Sequence, residues 1–247
     1  MLAELRMETI LAELAKEQAV SVAQLCQITG ASEATIRRDL NELARRGKLN
    51  KVHGGALPIR EEFRGEEPNM EVKRQLHTPE KMRIARYAAG LITNDDVVYL
   101  DAGSTVMHMV EHIQAPKAAF VTNSIECAQR LPGRGLHAYV LGGVIKPGTL
   151  AIIGCEAVES VKKYNFTKAF LGTNGIAVDP GFTTPDPEEA MVKSTAAAHA
   201  RETWVLADSS KFGTITAASV LPLGRAGIIT DRLEDRRYLE YTDIKVV

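Results

Sequence analysis

The spacing of apolar residues along this 247-residue chain changes near residue 80. Before that point, apolar residues recur every three or four positions, which is the period of an amphipathic helix. After it, short apolar runs alternate with helical stretches and with loops of glycine and small polar residues. That second pattern is typical of a parallel sheet covered by helices on both faces. The change of period predicts two domains, a helical one followed by a larger α/β one.

The first predicted helix covers residues 2–17 and is amphipathic. Its apolar stripe consists of Leu5, Ile10, Leu11 and Leu14. Because an apolar stripe has to be covered, we expect this helix to pack across the elements that follow it.

A second helix is predicted to begin at Ser21. Gln24 stands three residues further on, so the pair can form a capping box that satisfies two backbone donors. Val22, Leu25 and Ile28 recur at helical spacing and should form the buried side of this helix.

Gly30 ends the second helix, because glycine adopts a left-handed turn without steric cost. Ser32 then provides the cap of a third helix. Ile36, Leu40 and Leu43 share one face of that helix and should be buried. Two helices joined by so short a turn form a helix-turn-helix.

The remaining surface of the third helix carries cations separated by small and polar side chains. The cations are Arg37, Arg38, Arg45 and Arg46, and the small or polar residues are Ala34, Thr35 and Asn41. A helix in a DNA major groove needs this composition, because cations contact phosphates and polar ends contact base edges. An ordinary helical hairpin with solvated charges would show the same pattern.

The next segment, KLNKVHGGAL, alternates in polarity and is interpreted as the wing of a winged helix. Leu49 and Val52 are expected to point inward. Lys48, Lys51 and His53 are expected to point outward, towards a phosphate or the minor groove. A basic wing beside a basic helix favours DNA binding over the plain hairpin.

The composition restricts these interpretations further. Residues 32–60 contain seven Lys or Arg and three acidic residues, whereas the whole chain has a net charge of −1, so the basic surface is local. The apolar runs are too short for a membrane span, and no signal-peptide pattern is present, so we expect a cytoplasmic protein without membrane contact. Cys26, Cys127 and Cys155 are far apart and are expected to be buried and reduced.

Prolines, a glycine and several glutamates interrupt both patterns between residues 58 and 80. We expect a linker there, which gives three segments: a DNA-binding domain over 1–58, a linker over 59–79 and an α/β domain over 80–247. A helix is predicted at about 80–92. The predicted strands are VVYL (97–100), AFVT (119–122), AYVL (138–141), KAFL (168–171), WVLA (204–207) and GIIT (227–230).

Each predicted strand is followed by a polar loop. These loops are residues 101–105, 122–124, 142–143, 172–175, 208–211 and 230–231. Because the carboxyl ends of parallel strands meet at one edge of a sheet, we expect all six loops to form one polar small-molecule site.

The loop DAGST is the strongest element of this expected site. Gly103 precedes a helix start, so backbone amides and the Ser104 and Thr105 hydroxyls could receive a phosphate. Asp101 could accept from a sugar hydroxyl, and Lys211 could supply a cation. A tight turn and a solvated lysine remain alternatives.

At ATIRRDL…RRGKLNKVHGGA the chain resembles the winged-helix domain of the DeoR family of bacterial transcriptional regulators. The resemblance covers residues 1–58 and implies binding to operator DNA. It implies DNA contacts from Ser32, Thr35, Arg37, Arg38, Lys51 and His53.

The order of DAGST, TNS, LGG, FLGTNG, TPDPEEAMVK and LADSSKFG resembles the effector-binding domain of the same family. The resemblance implies the fold of ribose-5-phosphate isomerase and its relatives. Where those enzymes have the acidic motif Asp-Gly-Ala-Asp-Glu, this chain has the sequence GTNGI over residues 172–176. Both carboxylates are missing, so we expect a sensor without enzymatic activity.

Within the family, the segments VVYLDAGST, FLGTNGI and VLADSSKFG look closest to the repressors of bacterial fructose operons. That likeness implies fructose 1-phosphate as effector, with other ketose phosphates such as tagatose 6-phosphate as less favoured alternatives. It implies a site formed by Asp101, Gly103, Ser104, Thr105, Asn123, Lys146, Glu189 and Lys211. Ser104 and Thr105 would hold the phosphate with Lys211 or Lys146, and Asp101, Asn123 and Glu189 would hold hydroxyls.

His108 and His112 are four residues apart on a predicted helix, a spacing that can chelate zinc. No third ligand is evident, so neither a metal nor a cofactor is expected. The sequence predicts a repressor that acts as a homodimer or tetramer on paired half-sites. A phosphosugar isomerase-like enzyme carrying a DNA-binding module, and an activator responding to another sugar derivative, remain open.

Overall fold

The computed structural model describes residues 2–17, 19–58, 62–63 and 69–247. The chain forms two compact units. The small unit is Met1–Glu61 with Glu234–Glu240, and the large unit is Glu62–Leu233 with Tyr241–Val247. Within the described ranges, no helix combines the length and apolar character that crossing a membrane requires.

The small unit is a winged helix. Its helices are α1 (Ala3–Lys16), α2 (Val22–Thr29) and α3 (Glu33–Arg45). Its strands are β1 (Val20–Ser21), β2 (Asn50–Val52) and β3 (Gly55–Leu57), which pair antiparallel in the order β1-β3-β2. The hairpin of β2 and β3 is the predicted wing.

The local signals that were expected to delimit α2 and α3 are confirmed. The Ser21 hydroxyl accepts from the Gln24 amide at 3.2 Å, and the Gln24 side chain accepts from the Ser21 amide at 2.9 Å. Gly30 ends α2 with a φ of 69°. The Ser32 hydroxyl accepts from the Thr35 amide at 3.3 Å and caps α3.

The core of the small unit differs from the prediction at three positions. The buried residues include Ile10, Leu14, Val22, Leu25, Ile36, Leu40, Leu43 and Leu49, as expected. Leu5, Ile28 and Val52, however, are exposed. On α2 the buried stripe continues from Leu25 to Thr29, four residues on, which turns Ile28 towards solvent. Every residue of β2 is exposed, so Val52 has no inward side to occupy.

The large unit is built on a seven-stranded sheet with the order β17-β16-β13-β10-β5-β6-β7. These strands are β5 (Val97–Leu100), β6 (Ala119–Thr122), β7 (His137–Val140), β10 (Phe166–Gly172), β13 (Ala200–Leu206), β16 (Gly227–Thr230) and β17 (Ile244–Val246). Every neighbouring pair is parallel. All six predicted strands are present, and the parallel-sheet α/β class is confirmed. The C-terminal β17 was not predicted.

Helices and short ladders complete the large unit. The helices are α4 (Met70–Gln75), α5 (Thr78–Gly90), α6 (Ser104–Met109), α7 (Ile125–Gly133), α8 (Cys155–Val161) and α9 (Pro187–Ala198). The short strands are β4 (Glu62–Phe63), β8 (Val144–Ile145), β9 (Ile152–Ile153), β11 (Gly175–Ile176), β12 (Phe182–Thr184), β14 (Thr214–Ile215) and β15 (Ala218–Leu221). They pair as β11-β12-β15, β14-β4 and β8-β9.

The core of the large unit forms where α5 covers the middle of the sheet. Ile84 and Ala88 of α5 are fully buried in the same cluster as Val98, Phe120 and Phe170 from the strands. Alanine on the helix lets its backbone approach the sheet closely, while the strands supply the bulk.

The three cysteines are free, but their burial differs from the expectation. Cys127 is buried and Cys26 is half-buried, whereas Cys155 is exposed at the start of α8. The prediction of a buried residue is therefore wrong for Cys155, which begins a surface helix.

The structure also revises the predicted linker over residues 59–79. Residues 70–75 form α4 and α5 begins at Thr78, both within the large unit, and β4 pairs with β14. Asn69 caps α4 by accepting from the Val72 amide at 2.9 Å, and Met70 is buried. A cap and an apolar anchor thus convert the end of the expected linker into folded structure. Residues 59–61 and 64–68 lie outside the described residues.

Candidate functional site

The four arginines of the predicted DNA-binding surface are exposed but have different surroundings. They are Arg37, Arg38, Arg45 and Arg46. Glu42 accepts from Arg45 at 2.6 Å and from Arg46 at 2.7 Å. These bonds lower the pKa of Glu42 to about 2, so its negative charge persists beside both guanidinium groups. The charges at the C-terminal end of α3 are therefore partly offset.

Arg38 is the most available of the four. Arg37 forms an exposed pair with Glu33 at 3.3 Å, whereas no partner of Arg38 occurs in the described part of the chain. Asn41 lies three residues after Arg38, on the same helix face. The Lys51 ammonium donates to the Asn41 side chain at 2.6 Å, which joins the wing to that face.

The other predicted DNA-binding residues surround the start of α3 and the tip of the wing. The Ser32 and Thr35 hydroxyls lie 3.0 Å apart, and Ser32 is also the helix cap. His53 is exposed in the turn between β2 and β3. Beneath this surface, Arg6 of α1 pairs with buried Asp39 of α3 at 2.5 Å. That ion pair holds α3 in place, and the sequence did not reveal it.

A polar cavity lies at the carboxyl ends of β5, β10 and β13, which are neighbours in the middle of the sheet. Gly103, Ser104 and Thr105 line it after β5, and residues 172–174 line it after β10. Asp208 and Lys211 line it after β13. The predicted location at this edge of the sheet agrees with the cavity.

Only three of the six predicted loops are among the described residues that line this cavity. Residues 122–124, 142–143 and 230–231 are not among them. Asn123 instead supports the cavity from behind: its side chain accepts from the Ala102 amide at 3.0 Å and donates to the Ile152 carbonyl at 3.3 Å. Its amide group therefore fixes the DAGST loop against β9.

Gly103 and Gly172 bring the loops after β5 and β10 into close approach. A Cβ on Gly103 would lie 3.3 Å from the Cα of Gly172, so a larger residue would push these loops apart. Ser104 and Thr105 are both buried and begin α6, where helical amides have no intrahelical acceptor. This wall of the cavity presents hydrogen-bond donors.

Asp101 has a different place from the one predicted. Its side chain is fully buried and is not among the described residues lining the cavity. One carboxylate oxygen accepts from the Gly172 amide at 2.8 Å and from the ammonium of Lys193, which does line the cavity. Asp101 thus orients Lys193 and holds the two loops together.

Glu189 lines the cavity, while Lys146 lies behind it. One Glu189 oxygen accepts from Lys146 at 3.0 Å and from Thr149 at 3.1 Å, and the other accepts from Thr184 at 3.3 Å. Lys146 also pairs with Asp186 at 2.9 Å and is not among the described lining residues. Lys146 therefore fixes the orientation of Glu189.

Asp208 and Lys211 line the cavity after β13, with 4.0 Å between the carboxylate and the ammonium. Burial of Asp208 acts to raise its pKa, but Lys211 and the hydrogen bonds from Ser210 outweigh it and the pKa is lowered. Asp208 is therefore a carboxylate at neutral pH, able to accept hydrogen bonds from hydroxyls.

The sequence did not predict that Met70, Lys73, Lys81 and Lys193 line the cavity. Lys81 is 4% exposed, and its ammonium donates to the Lys73 carbonyl. Burial lowers the pKa of Lys81 to about 8. The sequence contained a signal for both lysines. Lys81 lies on the apolar face of α5 with Ile84, and Lys193 lies four residues after Glu189 on the same face of α9.

The histidines of α6 and the turn after it do not belong to a metal cluster in the described residues. The Nε2 atoms of His108 and His112 are buried and have no hydrogen-bond partner among the described residues. Burial lowers the pKa of His108, which favours its neutral form.

An exposed basic helix with a wing, and a separate α/β unit with a polar cavity, define the class of two-domain DNA-binding transcriptional regulators with a sensor domain. Family models agree: residues 6–62 match the DeoR-like helix-turn-helix domain, and residues 76–232 match the DeoR C terminal sensor domain. The chain belongs to the DeoR family, as its motifs predicted.

Named relatives match almost the whole chain. An uncharacterized HTH-type transcriptional regulator, FruR of Bacillus subtilis, is 41% identical over 251 residues, covering 100% of this chain and 99% of the relative. The HTH-type transcriptional repressor GlcR of the same organism is 30% identical over 244 residues, covering 97% and 93%. The lactose phosphotransferase system repressor of Staphylococcus epidermidis is 31% identical over 241 residues, covering 95% of each chain.

Similarity to solved structures is weaker. Ribose 5-phosphate isomerase A of Methanocaldococcus jannaschii aligns with a TM-score of 0.40 and 16% identity over 53% of each chain. The sorbitol operon regulator SorC of Klebsiella pneumoniae aligns with a TM-score of 0.34 and 11% identity over 85% of this chain and 89% of that one. Scores this low do not establish a common mechanism.

Proposed function

We propose that this protein is a transcriptional repressor of a sugar-catabolic operon, controlled by a phosphorylated sugar that binds in the cavity of the large unit. Fructose 1-phosphate is the favoured effector. The names of relatives support a sugar-linked repressor, since two of them are called repressors and one is assigned to a lactose phosphotransferase system. The effector itself rests on the sequence likeness to fructose operon repressors.

The distribution of charge in the cavity is the observation that carries the proposal. The side formed by Ser104 and Thr105 offers hydroxyl and amide donors, and Lys81 and Lys211 add cations. Glu189 and Asp208 supply carboxylates that accept hydrogen bonds. A phosphorylated sugar combines an anion with several hydroxyls, so it matches both chemistries at once.

The roles of individual residues follow from where each side chain lies. Gly103, Ser104, Thr105 and Lys211 would hold the phosphate, and Glu189 would hold hydroxyls. Asp208 would also hold hydroxyls. Asp101, Asn123 and Lys146 would act through the residues they orient.

In the small unit, operator binding would use residues at the start of α3, along α3 and on the wing. They are Ser32, Thr35, Arg37, Arg38, Lys51 and His53. One recognition helix reads one half-site, so the protein would bind as a homodimer or tetramer to paired half-sites. An effector that prefers the DNA-incompetent arrangement by about 1–3 kcal/mol, roughly 5–150-fold, would be sufficient for a switch.

A thermal-shift screen of sugar phosphates against the full chain tests the effector. A ligand that binds only the folded state raises the melting temperature, and fructose 1-phosphate should raise it more than fructose or inorganic phosphate. The same ligand should release the protein from operator DNA in a gel-shift titration. Ser104→Ala combined with Thr105→Ala should retain operator binding and lose that release.

An isomerase is the second candidate, because Glu189 and Asp208 place two carboxylates at the cavity. Both are poorly suited to removing a proton from carbon: Glu189 accepts three hydrogen bonds, and the pKa of Asp208 is lowered. Ketose–aldose interconversion by the purified protein, abolished by Glu189→Gln, would establish the enzyme and overturn the proposal.

A further inference from the structure

Helix α4 forms part of the wall of the sensor cavity, although it belongs to the segment that the sequence assigned to a linker. Met70 and Lys73 line the cavity, and Met70 is buried. Along the chain, α4 is the first described helix after the wing. A ligand in the cavity would therefore touch the first described helix that follows the wing.

The docked position of α4 depends on a small set of contacts. The helix has only six residues, so its own hydrogen bonds stabilise it weakly. The Met70 amide donates to the Gly148 carbonyl at 3.0 Å, and Arg74 pairs with Glu126 of α7. Thr78 donates to the Arg74 carbonyl at 2.8 Å, and Lys81 donates to the Lys73 carbonyl. These bonds hold both ends of α4 against the large unit.

Lys81 links α4 to the part of the cavity that is proposed to hold the phosphate. The side chain is buried, and no carboxylate of the described residues lies within 4.0 Å of its ammonium. The charged groups that act on it are Asp208, which favours the ammonium, and Lys211 and Lys73, which oppose it. His108 of α6 also faces it.

An ammonium has three donors, and the Lys73 carbonyl takes one of them. Two donors are left for a ligand. A buried cation without a close counterion is unfavourable until an anion enters the cavity.

We propose that the anionic group of the effector binds Lys81 together with Lys73 and thereby fixes α4 against the large unit, so that α4 reports occupancy of the cavity to the chain segment leading to the DNA-binding unit. This inference rests on the proposed function and adds the structural element that transmits effector binding. The effector-bound state is the one in which α4 is ordered most firmly.

Proton uptake follows from the same contact. A bound anion raises the pKa of Lys81 above its value of about 8 in the free protein. Effector affinity should therefore be nearly constant around pH 7 and should fall as the pH rises through about 8, approaching about tenfold per pH unit. The phosphate monoester is already a dianion above pH 7, so the ligand does not contribute to that fall.

Hydrogen exchange of the full-length protein tests the proposal, with fructose 1-phosphate as the probe. Amides of Met70–Gln75 should exchange more slowly, by at least threefold, when the probe is bound. Lys81→Met, which removes the ammonium and keeps an unbranched side chain only one atom shorter, should lose that protection, weaken probe binding at least tenfold and flatten the affinity profile above pH 8. Arg83→Met removes a positive charge from the exposed side of the same helix and should behave like the wild type.

The possible results separate this inference from the proposed function. Probe binding with unchanged exchange of α4 would overturn the inference and leave the proposed function standing. Failure of every sugar phosphate to bind the wild type would overturn both. If Lys81→Met does not fold, calorimetry of the wild type at pH 8.5 in two buffers of different ionisation enthalpy decides: proton uptake on binding supports the inference, and its absence contradicts it.

Discussion

Both units carry clustered positive charge, but the charge is exposed in the small unit and buried in the large one. Arg37, Arg38 and Lys51 are exposed, whereas Lys81 and Lys193 of the cavity are almost completely buried. An exposed guanidinium costs little and binds a polyanion by releasing counterions. A buried ammonium is costly unless a carboxylate or a ligand faces it.

This difference predicts different responses to mutation. Cations on the DNA-binding surface should contribute separately to affinity and hardly at all to stability. Cations of the cavity belong to hydrogen-bonded networks, so changing one member should affect both folding and ligand binding. Trp204 of β13 is the chain's single tryptophan, so its fluorescence follows unfolding of the large unit selectively.

The largest effect is expected when the buried pair of Asp101 and Lys193 is broken. Asp101→Asn leaves the Lys193 ammonium buried without its carboxylate, which should destabilise the large unit by about 3–5 kcal/mol. Denaturant unfolding followed by Trp204 fluorescence measures this loss. The double variant Asp101→Asn with Lys193→Met removes both charges and should recover part of the stability. A loss below about 1 kcal/mol in the single variant would show that the pair is not effectively desolvated.

A smaller effect is expected from Asp96, which stands before β5. Burial of its carboxylate opposes ionisation, but hydrogen bonds from Lys168, Thr167 and Thr93 lower its pKa to about 2. Because the folded pKa lies below the ordinary 3.8, the stabilisation is complete above about pH 4 and is lost as pH falls towards 2. It amounts to up to about 2 kcal/mol.

Asp96→Asn should therefore reduce stability at pH 7 and remove part of the acid dependence. Unfolding of the large unit between pH 2 and pH 7 measures both. Asp95→Asn changes an exposed neighbour and should leave the profile unchanged. An Asp96→Asn profile parallel to that of the wild type would mean that Asp96 contributes no pH-dependent stability.

The sequence predicted the small unit well because its signals are local. The caps at Ser21 and Ser32 and the left-handed turn at Gly30 lie within a few residues of the groups they satisfy. The errors at Ile28 and Val52 arise because a short helix or hairpin can rotate its stripe towards whichever neighbour covers it. The pair of Arg6 and Asp39, 33 residues apart, has no local signature.

In the large unit the strands were predictable from the sequence. Which side chains face the cavity was predictable only in part. The loop over residues 101–105 has a strand before it and a helix after it, so its position followed from the pattern. Residue type did not reveal whether Asp101 or Asn123 faces a ligand or a neighbouring loop, because that depends on chain segments more than 20 residues away. Lys73 was missed because its short helix lies in a polar, proline-containing segment.

On the DNA-binding surface, Arg38→Ala tests whether exposed charge acts separately from folding. Operator affinity should fall by about 1–2 kcal/mol and the salt dependence of binding by about one counterion, because Arg38 is free to contact a phosphate. Stability should stay within about 0.5 kcal/mol of the wild type. Arg83→Ala, an exposed arginine of the large unit, is the matched control for general charge effects. Unchanged affinity and salt slope would remove α3 from the interface.

The smallest effect is expected at the capping box at the start of α2. In contrast to Arg38→Ala, a substitution there should lower stability and leave operator affinity nearly unchanged. Ser21→Ala leaves the Gln24 amide without its acceptor and should destabilise the small unit by about 1 kcal/mol. Hydrogen exchange of the amides of α2 measures this, because the large unit contributes no signal there. Trp204 fluorescence should be unchanged, and operator affinity at low temperature should stay within about twofold, since Ser21 bears no charge. If affinity fell as far as in Arg38→Ala, the small unit would have to be close to unfolding under assay conditions, and its exposed cations would not act independently of its stability.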